Sequence, residues 1–72
     1  MSLLTAIKRF FLRPPIFEVR KAKDGKHYVV ELSGGRVSNT SETYASKHGA
    51  ARAAKTRAGR VEGATWRYRL GD

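Results

Sequence analysis

Between Thr40 and His48 the chain gathers hydroxyls, a phenol, an amine and an imidazole: Thr40, Ser41, Thr43, Tyr44, Ser46, Lys47 and His48. Residues of these types can supply a nucleophile and its base, so their spacing decides whether chemistry is present. A tyrosine and a lysine four apart share one helix face, as proton transfer to a carbonyl requires. Here Tyr44 and Lys47 are three apart, and the fourth position is His48. No glycine-rich turn between a strand and a helix is present to hold a dinucleotide. A serine three before a lysine would support acylation, but that place is Tyr44. A Ser–His–Asp set could draw only on Asp24, in a turn signal, or on Asp72, the last residue. So small a domain also lacks room for a cleft that excludes water. With no cysteine and only His27 and His48 as imidazoles, a metal centre is not expected either. The expectation is a non-enzyme with no cofactor and no small-molecule substrate.

The charge points elsewhere. Fifteen Lys and Arg against six Asp and Glu leave +9 on 72 residues, a balance that favours anionic partners. It is concentrated at two places. Residues 1–15 carry Lys8, Arg9 and Arg13 and no acid, and residues 46–60 carry Lys47, Arg52, Lys55, Arg57 and Arg60 and no acid. The segment between them is nearly balanced.

Three kinds of element must position these groups. Leu3, Leu4, Ile7, Phe10 and Phe11 recur at helical spacing, which predicts an N-terminal amphipathic helix over 1–13, stopped by Pro14-Pro15. Its interrupting cations and missing cleavage site argue against a secretory signal, and about 12 residues are too few to span a bilayer. From Ile16 the period becomes two. Alternating strands are expected on either side of Asp24-Gly25, with a shorter third after Gly34-Gly35. The outward positions expected for these strands include Glu18, Glu31, Arg20 and Val29, a mixed set and not a basic reading face. From Ser46, the expected N-cap, the alanines predict a helix with Ala50, Ala51, Ala54, Ala58 and Val61 on one face and His48, Arg52 and Lys55 opposite. Gly59 or Gly63 marks its exit. In the tail Trp66, Tyr68 and Leu70 alternate with Thr65, Arg67 and Arg69, as in a fourth strand, placed either in the same sheet or on a partner's edge.

Phe17 to Ala58 resembles the YegP-like domain of unknown function found in bacteria, archaea and phages. The resemblance is carried by Phe17-Glu18-Val19, Asp24-Gly25, Gly35 and above all Thr40-Ser41-Glu42-x-Tyr44-x-Ser46-Lys47. It implies a three-stranded antiparallel sheet crossed by one helix, in tandem repeats or, when single, in homodimers. It implies no activity, cofactor or catalytic residue. Ala54 and Arg57 depart from it, since larger aliphatics usually face inward there. In a tandem protein the next repeat would begin near Thr65, which makes a swapped or completing strand the expectation for the tail.

The expected architecture is therefore one α+β domain: the N-terminal helix over 1–13, a β-β-β-α unit over 16–61 and an extra strand over 64–70. A domain of about this size buries only about 60% of its unfolded surface, so pairing of two copies is expected to help fill its core. Phe10, Phe11, Trp66, Tyr68 and Leu70 are the candidate interface residues. Lys47, Arg52, Lys55, Arg57 and Arg60, extended by Arg67 and Arg69 along the tail, are the candidate contacts to nucleic-acid phosphates. A structural or protein-binding homodimer is the alternative, and peripheral binding of the first helix to an anionic membrane ranks third. A cysteine-free chain without a targeting signal is expected in the cytoplasm.

Overall fold

The structure is a computed structural model, and it describes residues 13–71. The N-terminal helix expected over 1–13, with Phe10 and Phe11, lies outside the described residues apart from Arg13.

β1 (Ile16–Lys21), β2 (His27–Ser33) and β3 (Arg36–Thr40) form an antiparallel meander. Two different turns join them. Gly34 and Gly35 both have positive φ, +61° and +81°, between the paired Ser33 and Arg36, the signature of a two-residue type I′ turn. The first turn has one more residue. Ala22 N–H donates to Lys26 O (2.7 Å), Gly25 N–H donates to Ala22 O (3.1 Å), and only Gly25 has positive φ there, +86°. Lys23, Asp24 and Gly25 thus make a three-residue loop, and the Asp24 carboxylate accepts from Lys26 N–H at 2.9 Å.

That extra residue corrects one sequence expectation. Val19 pairs with Val29 and Phe17 with Glu31, and directly opposed residues share a face. Val29 and Glu31 therefore lie on the same side as Phe17 and Val19, not outward with Glu18 and Arg20. The opposite face carries Ile16, Glu18, Arg20, Tyr28, Val30 and Leu32 instead.

The Thr40–Ser46 signature proves to be a tether from sheet to helix. Val29 N–H donates to Ser41 Oγ and Ser41 N–H donates to Val29 O, both at 2.8 Å. Two further bonds tie Tyr44 to His27 as an isolated antiparallel bridge. Ser46, in extended backbone, then accepts from Gly49 N–H at 3.0 Å and caps α1 (Lys47–Gly59). At Gly49 a Cβ would lie 3.2 Å from the capping oxygen, a tight approach that glycine relieves.

α1 lies across the sheet on Ala50, Ala51, Ala54 and Ala58, all buried against Phe17, Val19 and Val29. Val61, expected on this face, lies beyond the helix end and is exposed. The chain then turns at Gly63, whose φ is +79° and where a Cβ would meet Pro14 Cγ at 2.9 Å. The exit from α1 is thereby pressed against the entry to β1.

β4 (Thr65–Tyr68) completes the sheet within the same chain, parallel to β1, in the order β3-β2-β1-β4. The fold is α+β with a mixed four-stranded sheet. Among the described elements, only α1 packs on a sheet face. No described helix is long and apolar enough to cross a membrane.

Candidate nucleic-acid interface

The pairing of β4 with β1 decides where the tail residues go. Trp66 is opposite Phe17 and Tyr68 opposite Val19, so both aromatics emerge on the helix side. Trp66 is half-buried and packs on the core cluster, supplying bulk that the alanine face of α1 lacks. Tyr68 is 43% exposed at the rim. The two rings meet edge to face, with centroids 5.2 Å apart at 76°.

Facing them is one flank of α1. His48, Arg52 and Lys55, spaced i, i+4 and i+7, form a stripe beside the buried alanines. Together with Ala51, Trp66 and Tyr68 they line a groove of about 280 Å³, and no acidic residue lines it. Lys47 meets one of its walls, with Nζ 4.7 Å from the centroid of the Tyr68 ring. A cation in the first helical turn opposes the helix dipole, and the aromatic face offsets that by a contact worth about 0.5–1 kcal/mol at an exposed site.

Of the candidate phosphate contacts, Lys47, Arg52 and Lys55 are brought together here, with the candidate interface residues Trp66 and Tyr68. The remainder are dispersed. Arg57 is about 200° around the helix from Lys55, on the other flank, and Arg60 is the C-cap. Arg67 and Arg69 do not extend the groove, because strand alternation turns Arg67 to the opposite face and Arg69 follows it in phase. Leu70 is 98% exposed, beyond β4. His48 was not among the expected site residues, although its spacing to Arg52 and Lys55 was a sufficient signal.

On the opposite face Glu18 is buried and held by two guanidinium groups, Arg20 Nε at 2.7 Å and Arg67 Nε at 2.8 Å. Burial pushes its carboxyl up, but the hydrogen bonds and charges of Arg20 and Arg67 outweigh that and hold it below its ordinary value. Arg67 is thus committed to an internal carboxylate, which explains why a cation in the tail is not part of the basic groove.

Among the described residues no cluster of His, Cys, Asp or Glu could hold a metal ion. His48 in the groove and His27 under the Tyr44 bridge stand on different elements. No family model, curated protein or solved structure matches this chain, so the YegP-like resemblance rests on its signature residues alone.

Proposed function

We propose that this protein is a non-catalytic module that binds nucleic acid through its phosphates, with little dependence on sequence, at the groove between α1 and β4. One observation carries the reading: Arg52 and Lys55 stand on one flank of α1 over a groove that no acid lines, and Lys47 reaches the Tyr68 ring at the same groove. Cations held on a helix at this spacing can follow a phosphate backbone, and each contact releases condensed counterions. Such contacts position a strand without reading it.

Fluorescence anisotropy of a random-sequence duplex tests this. With three phosphates engaged, log K should fall against log salt with a slope of about −3. Lys55→Gln should flatten the slope by about one, and Arg36→Gln, at the far sheet edge, should leave it unchanged. Absence of binding at low salt, or binding indifferent to salt, ends the reading.

A second reading is assembly of two copies, in keeping with the YegP-like resemblance. The observation behind it is the sheet face opposite α1, where the half-buried Ile16 and Leu32 lie beside the exposed Val37 and no described helix crosses them. Sedimentation of the full chain decides it.

A further inference from the structure

We infer that the groove is built for an unpaired base: its ligand is single-stranded nucleic acid, with one nucleobase against the Trp66–Tyr68 corner and the neighbouring phosphates on Arg52 and Lys55. The inference rests on the nucleic-acid reading above and names the form of nucleic acid that the site accepts.

A site for phosphates alone needs only cations. This one pairs its cations with two aromatic rings on an edge strand, Trp66 half-buried and Tyr68 partly exposed at the rim. The rings are braced before any ligand arrives. Trp66 packs on the core, and Tyr68 meets it at 76° with Lys47 over its ring. A flat ring system entering the groove can lie along one aromatic face while its edge touches the other, at little cost in ordering the side chains. Ala51 in the lining keeps that space open; a larger residue at this position would fill it.

Size and charge agree. About 280 Å³ lies just under the range of pockets for drug-sized ligands and suits a single base with its sugar better than a base pair. His48, Arg52 and Lys55 stand across from the rings, where phosphates on either side of an inserted base would run. In a duplex the base faces are stacked on one another and unavailable, so a duplex reaches the cations but not the rings. Stacking on an aromatic is tolerant of sequence, as the phosphate contacts are. Single-strand preference and low sequence preference therefore follow from the same groove.

The chain has one tryptophan, so its fluorescence reports from this groove alone. Full-length protein is titrated with an oligothymidylate, with an abasic oligonucleotide of the same length, and with a duplex. The expected result is quenching of Trp66 by the oligothymidylate only. Its affinity should exceed that of the abasic strand by about fivefold to a hundredfold, the equivalent of one stacked base. Tyr68→Ala should shrink that ratio severalfold while the thermal melt confirms a folded protein. Should the variant unfold, the comparison on the unaltered protein still decides the matter. Equal affinity for base-bearing and abasic strands, or quenching by the duplex as well, overturns the single-strand inference and leaves phosphate binding standing. Failure of all three ligands to bind removes both.

Discussion

Glu18 carries a carboxylate into a place where only 5% of its surface meets water, and two guanidinium groups make that tenable. Its neighbours work from opposite sides, Arg20 from two residues along the same strand and Arg67 from the paired position on β4. Arg67 is largely exposed, so water weakens its share of the attraction. Because the folded state holds this carboxyl below its ordinary value of 4.5, the linked stabilisation is present above that value and is lost as pH falls through the lower, folded value. Thermal melts from neutral pH downward should show the unaltered protein losing more stability in acid than Glu18→Gln. At neutral pH that variant should be the weaker by about 1–2 kcal/mol. Parallel acid profiles would mean that the pair of arginines is not what sustains the charge. Nothing in the local pattern marks Glu18 as buried: it alternates correctly as an outward residue, and its second guanidinium, Arg67, arrives only with β4.

At the scale of elements, α1 makes a trade that its composition declares. An alanine face lets the helix lie close to the sheet, but it fills little space, so Phe17 and the half-buried Trp66 must supply the bulk. Ala54, with no exposed surface, stands where the YegP-like resemblance leads one to expect a larger aliphatic. Ala54→Leu overpacks this close approach and should destabilise the fold by about 1–3 kcal/mol. In a domain of this size that is a fall in melting temperature of roughly 5–20 °C. A rise instead would show a void beneath the helix. The helix itself was legible in the sequence, from its Ser46 cap to its alanine stripe, because both signals are local. Its partner was not. The tail read as a strand from its alternation, but its place beside β1 depends on Gly63 turning at positive φ against Pro14, a contact across nearly fifty residues.

Considered whole, the described molecule has two unlike faces. The helix side presents a basic groove with aromatic walls. The other side presents a sheet face that no described helix crosses, part apolar and part an internally neutralised arginine–glutamate cluster. Assembly belongs to this scale. If two copies pair through the sheet face around Val37, the full chain should sediment at about twice its 8.0 kDa. Val37→Glu, at an exposed position on β3, should then return it to the mass of one chain. A single-chain mass for the unaltered protein at high concentration would sink the pairing. By itself the sequence determined the order and type of the described elements, the cap, the glycine turns and the cationic stripe of α1, all set by interactions between residues a few positions apart. Tertiary structure alone decided which cations lie together. Strand alternation is absolute only once register is known, and register here hangs on one turn residue. A two-residue turn at Asp24-Gly25 would have paired Val19 with Val30; the three-residue loop pairs it with Val29 and exchanges the faces of β2. In the same way the parallel pairing of β4 turned Trp66 and Tyr68 toward the helix and Arg67 away from it. A run of basic residues in the sequence thereby became a groove with two aromatic rings.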